Sequence, residues 1–115
     1  MSVYKVTVQN IEEILNNKEI VILDFWADWC GPCKSFGPIF DRVSDKFPDV
    51  FFGKINCDQE LDLSSDFQIR SIPTLVILKE KTIIYQESGN IPEYILTEIV
   101  EKSKSVDVSS LEEDN

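Results

Sequence analysis

The sequence predicts an α/β fold in which a central mixed β-sheet carries helices on both faces. Three observations predict it. First, Ile20–Ala27 and Val50–Asn56 are largely apolar runs with no alternation, which suits strands buried on both sides rather than strands with one wet face. Second, Phe36, Ile39, Phe40, Val43 and Phe47 recur at helical spacing between those two runs, so a helix crosses from one strand to the next. Third, the chain closes with two short β-prone runs and a last amphipathic segment. Strand–helix–strand units make part of the sheet parallel, and a closing hairpin makes the rest antiparallel.

Taken in order, a first strand is expected at Tyr4–Val8. Asn10 with Glu13 reads as a capping box that opens a short helix over 11–17. The strand Ile20–Ala27 follows, apolar except for Asp24, and the long helix begins just after it. Pro38 lies inside that helix with Gly37 before it, which predicts a kink and local loosening. Val50–Asn56 is the next strand and Leu61–Asp66 a short helix. Thr74–Leu78 and Thr82–Gln86 read as strands joined by a tight turn at Lys79-Glu80-Lys81, where a glycine would be usual. Asn90 and Glu93, with Pro92 in the first turn, mark a last helix running to about Lys102. The organisation expected is one domain over 1–102 and a polar, acidic, flexible tail over 103–115.

Composition narrows the function. The 115 residues are 43% hydrophobic, enough for one core without cross-links. Asp and Glu number 21 against 11 Lys and Arg, a formal net charge of −10. Nucleic acid and anionic membrane both need a basic face, so neither is an expected partner. There is no histidine, which excludes Ser-His-Asp and Cys-His catalysis. The first residues show no secretory pattern and the longest apolar run, Ile20–Leu23, is too short to span a bilayer. A reducing cytoplasm is therefore the expected location, where paired cysteines are catalytic more often than structural.

Three cysteines are too few for a disulfide scaffold, but Cys30 and Cys33 stand one helical turn apart in Trp29-Cys30-Gly31-Pro32-Cys33. The motif falls where a buried strand gives way to a helix. Cys30 then sits among unpaired backbone N–H groups at the positive end of the helix dipole, which favours its thiolate. Cys33 shares its face and can reach its sulfur. This arrangement suits exchange with a disulfide in two steps, attack by Cys30 and resolution by Cys33. Half a zinc site is the competing reading. It needs two more ligands, and the chain offers no histidine and one further cysteine, Cys57.

Asp24 is hard to explain as scaffold, since a carboxylate in a buried strand is costly and titrates high. Lys54 on the neighbouring strand is a candidate partner for it, or else extends along apolar surface to water. Cys57 reads as a buried, inert core thiol.

The chain resembles the thioredoxin family over about residues 3–102. The residues that carry this are Asp24-Phe25-Trp26-Ala27, Trp29-Cys30-Gly31-Pro32-Cys33-Lys34, Pro38, Ile72-Pro73-Thr74 and Gly89, in this order and at these separations. The resemblance implies a thioredoxin-like fold and a thiol–disulfide oxidoreductase that reduces protein disulfides, with the tetrad of the reducing members. It implies Cys30 as nucleophile, Cys33 as resolving thiol and Asp24 as acceptor of the Cys33 proton. Gly31, Pro32 and Lys54 are expected to tune the redox centre. Pro73 is expected in the cis form, with the backbone of Ile72 and Thr74 offered to an extended substrate. Trp29, Pro32, Ile72, Pro73 and Gly89 are expected to form an apolar rim. The protein itself should need no cofactor and bind no metal. Its implied partners are a flavin-dependent thioredoxin reductase drawing on NADPH and disulfide-containing proteins, met as a monomer. Two other readings stay open on the sequence: an oxidase or isomerase, and a binding subunit in which the thiols are dispensable.

Overall fold

A computed structural model of the protein describes residues 2–113. Its five strands lie in the order β1-β3-β2-β4-β5, with β1 Val3–Lys5, β2 Ile20–Trp26, β3 Phe51–Asn56, β4 Thr74–Lys79 and β5 Thr82–Ser88. β3 runs parallel to both β1 and β2, whereas β2–β4 and β4–β5 are antiparallel. The mixed sheet expected from the sequence is thus present. Its centre is β2, whose residues from Ile20 to Phe25 are all buried. That explains the missing alternation: both faces of this strand meet a helical layer.

The helices are α1 Ile11–Asn17, α2 Gly31–Lys46, α3 Leu61–Asp66, α4 Glu93–Ser103 and α5 Val108–Glu113. Ile20 and Ile22 pack with Phe36, Phe40 and Val43 of α2 and Leu96 and Val100 of α4. On the other face Val21, Leu23 and Phe25 pack with Leu63 of α3, and Ile11, Ile14 and Leu15 of α1 join from the edge. Consecutive residues of β2 therefore serve different cores, and Asp24 points to the same side as Ile22, under α2.

Several local expectations change. β1 is shorter than Tyr4–Val8. Asn10 occupies the N-cap position of α1, as expected, but its side chain makes no capping bond. Its Oδ1 accepts from the Thr7 N–H at 2.8 Å and its Nδ2 donates to the Lys5 carbonyl, holding the turn before the helix. Pro92, not Asn90, occupies the N-cap of α4, and Glu93 is drawn to Arg42 and Lys46 of α2 at 2.7 and 3.0 Å. The hairpin turn is the pair Glu80–Lys81, with φ of 50° and 68°. Left-handed values at both positions match the twist of the flanking strands, at a steric cost to two non-glycine residues.

Lys79 belongs to β4, not to the turn. Its side chain is buried, and its Nζ donates to the carbonyls of Ser103, Lys104 and Val106 at 3.0, 2.8 and 2.8 Å. One ammonium thus supplies three donors where the end of α4 has lost its own. The flexible tail expected from residue 103 is accordingly corrected up to Val108, which is itself buried and opens α5. Residues 114–115, the end of that expected tail, lie outside the described residues.

Candidate active site at the end of the second strand

β2 ends at Trp26, a two-residue turn follows, and Cys30 becomes the N-cap of α2. Its backbone is extended, with φ −87° and ψ 111°, while Pro32 fills the first helical turn, where a missing N–H costs nothing. The Cys33 N–H donates to Cys30 Sγ at 3.2 Å. A sulfur thus occupies the place where a Ser or Asp oxygen commonly caps a helix, and the same N–H groups and dipole stabilise negative charge on it. Cys30 and Cys33 are joined as a disulfide, their Cα atoms 5.3 Å apart. Gly31 and Pro32 between them are exposed.

The loop before β4 closes over this centre from the far side. The Ile72–Pro73 peptide is cis. The Ile72 carbonyl oxygen lies 3.6 Å from Cys30 Sγ, an acceptor ready for the thiol of the reduced form. Gly89 donates its N–H to the Pro73 carbonyl at 2.8 Å and has φ +117°, a conformation side chains resist. Thr74 is 2% exposed, paired with Phe25 on one side and Ser88 on the other. Its hydroxyl donates to the Ser71 carbonyl at 2.5 Å and sits 2.9 Å from the Ser88 hydroxyl. Thr74 therefore shapes the loop from inside, and Ile72 is the half-buried member of the expected pair.

Trp29 stands 70% exposed beside the disulfide, with its indole N–H donating to Asp58 Oδ2 at 3.1 Å. This tether was not legible in the sequence, where Asp58 is one acid among many. A groove of about 490 Å³ runs between Trp29 and Ile72, and Leu61, Ile69 and Cys57 also line it. Cys57 is half-buried rather than buried as expected. Burial raises its pKa, which keeps it a thiol at neutral pH.

Asp24 is 1% exposed, and its Oδ1 has no hydrogen-bond partner among the described residues. Desolvation drives its pKa up to about 7, with Lys54 pulling it down and Asp41 pushing it up. Lys54 is the register partner of Asp24 on β3, yet no ion pair joins them among the described residues. Its ammonium instead lies against Gly37, 3.4 Å from where a Cβ would stand, and 5.9 Å from the Trp26 ring centroid. Gly37, which reads in the sequence as a weak point of α2, leaves room for that ammonium. The influence of Asp41 was missed, because a carboxylate on a helix surface in an acidic chain carries no local signal.

The thioredoxin family model matches residues 2–102. A thioredoxin of Mycoplasmoides gallisepticum is 38% identical over 90 residues, covering 78% of this chain and 90% of its own. A thioredoxin of Buchnera aphidicola is 33% identical over 103 residues, covering 88% and 95%. Among solved structures, a mutant thioredoxin from Halobacterium salinarum superposes with a TM-score of 0.85 at 25% identity, covering 92% of this chain and 94% of that one.

Proposed function

Because the chain belongs to the thioredoxin family and is a thiol–disulfide oxidoreductase, we propose that it runs in the reducing direction on protein disulfides. The tetrad Cys30-Gly31-Pro32-Cys33, similar to that of the reducing members, carries the direction. The position of Cys30 Sγ, capped by the Cys33 N–H at a helix start and facing the Ile72 carbonyl, supports the exchange chemistry. A thiolate is stabilised there, and a substrate strand laid along Ile72 meets it in line with Trp29 and the groove.

In the first step the Cys30 thiolate attacks a substrate disulfide. A bond forms between Cys30 Sγ and one substrate sulfur, the substrate S–S bond breaks, and the second sulfur leaves as a thiolate that takes a proton from water. Cys33 then gives its proton to Asp24 and attacks Cys30 Sγ. The Cys30–Cys33 bond forms, the mixed disulfide breaks, and the substrate leaves with the two electrons the dithiol has lost. Asp24 suits the role of base, since a carboxyl titrating at about 7 accepts a proton near neutral pH. Gly31, Pro32 and Lys54 set how readily the thiolate forms, and Trp29, Ile72, Pro73 and Gly89 hold the substrate. The reduced form is restored by a thioredoxin reductase using NADPH. The setting is the cytoplasm and the working form a monomer.

The test is NADPH consumption with a thioredoxin reductase and a disulfide-bonded protein, paired with trapping. Cys33→Ser should accumulate mixed disulfides through Cys30, visible on non-reducing gels and by mass spectrometry, while Cys30→Ser accumulates few. Trapping chiefly through Cys33 reverses the assignment. Turnover with oxidants but none through the reductase makes the protein an oxidase.

A further inference from the structure

Away from the reacting sulfurs, β1 and β3 place two lysines side by side. Lys5 and Lys54 are register partners in a parallel pair, so both side chains leave the same face of the sheet, on strands about 4.8 Å apart. Trp26 and Asn56 pair in the same way between β2 and β3. Asn56, two residues on from Lys54, shares its face. Like charges directly opposite one another destabilise a sheet. Acidic residues outnumber basic ones by 21 to 11 in this chain, yet neither lysine joins an ion pair among the described residues.

A cavity of about 330 Å³ opens on this patch, lined by Lys5, Trp26, Lys54, Asn56 and Gln59 among others. Asn56 is only 9% exposed. Its Oδ1 accepts from the N–H groups of Asp58 and Gln59 at 2.9 and 3.3 Å, which fixes the way its amide points. Nδ2 is the atom left over, and it has no partner among the described residues. A donor on so enclosed a side chain calls for an acceptor, and two ammonium groups beside it call for that acceptor to be negative. Asp28 also lines the cavity, but it is exposed and pairs with neither lysine. We propose that this cavity binds a phosphate group, free or carried by a small ester, with Lys5 and Lys54 supplying the charge and Asn56 Nδ2 the neutral donor. A dianion balances two lysines, where a carboxylate balances one. The compact lysine ammonium suits phosphate as a point charge. The volume falls at the small end of ligand pockets, about 300–1,000 Å³, which leaves room for the carbon part of an ester beside the Trp26 ring.

The experiment titrates the oxidised protein with inorganic phosphate and, separately, with glycerol phosphate. Chloride holds the ionic strength constant, pH is fixed, and nitrogen NMR follows the backbone amides. The variants are K5M, K54M and K18M, the last an exposed lysine outside the cavity. The amides of Lys5, Lys54 and Asn56 should shift and saturate. K5M and K54M should each weaken binding about tenfold or more, the worth of one charge-assisted hydrogen bond, and K18M should bind as the wild type does. Phosphate should also raise the urea midpoint of the wild type more than that of K5M, because it binds the folded site. Tighter binding of the ester names a phosphorylated small molecule as the ligand, and tighter binding of inorganic phosphate names the free ion. Shifts that never saturate, or equal weakening in K18M, reduce the effect to general screening by the anion and overturn the site. K5M and K54M binding as tightly as the wild type overturns it as well.

Discussion

Replacing Asp24 with Asn should stabilise the protein by an amount that grows with pH. In the unfolded chain this carboxyl titrates near its ordinary 3.8, and in the fold at about 7. Between those values the native state holds one proton more than the unfolded state, so wild-type stability falls as pH rises, by about 1.4 kcal/mol per pH unit from this group. The interval is about three pH units, which gives roughly 4 kcal/mol. The contribution is fully present below the unfolded value and is lost once pH has risen through the folded one. Asn has no such titration. The gap between variant and wild type should therefore widen by about 4 kcal/mol from acid to mildly alkaline pH, whatever the cost of burying the amide. Urea unfolding of the oxidised forms measures it, with the disulfide held constant. At about 1–3 kcal/mol per molar urea, the midpoint difference should grow by roughly 2 M. A gap that stays the same at both ends of the pH range refutes the argument, because it means Asp24 is not held protonated by burial.

Two further outcomes follow from the far end of the sheet. Lys79→Met keeps the apolar stem and removes the ammonium, leaving the Lys104 and Val106 carbonyls without this donor and the Ser103 carbonyl with the Val106 N–H at 3.4 Å. At about 1–3 kcal/mol for each buried group left unpaired, stability should drop by ~3 kcal/mol or more, and limited proteolysis should trim the chain after residue 103; an unchanged urea midpoint counts against the cap. Lys81→Gly relieves a left-handed residue at φ 68° and should raise stability by about 0.5–1 kcal/mol with unchanged disulfide reduction, and a loss of stability on thermal or urea unfolding means the turn is not strained there.

The strands and helices that place the site were legible because burial writes a period into the chain. β2 shows none, being covered on both faces, and α2 shows a clear one through Phe36, Phe40 and Val43. Helix starts were less legible. Asn10 carries the residue type of a cap, but the same oxygen can serve the preceding turn, and here it accepts from Thr7. Sequence does not decide between two partners that lie equally close along the chain. Glu93 was read as half of a capping box, yet Arg42 and Lys46 of another helix claim it.

The site divides in the same way. Cys30, Gly31, Pro32 and Cys33 are contiguous, so their geometry follows from one strand-to-helix junction. Asp24 stands out as the one carboxylate in a run that the fold buries. Asp41, Asp58 and Lys79 gave no such signal, since each is an ordinary charged residue until distant chain arrives beside it. The topology explains why that happens where it does. β2 and β3 are parallel neighbours, so both end at the same edge of the sheet, where β2 leads into Cys30 and β3 leads into Cys57 and Asp58. β4 is antiparallel to β2, so it begins at that edge, and Ile72–Pro73 is the loop that enters it. Loops at the carboxyl ends of parallel strands are the usual place for a site in such sheets. The reactive sulfur, the loop that faces it and the acid that holds Trp29 thus meet because of strand direction, a property no single segment of the sequence carries.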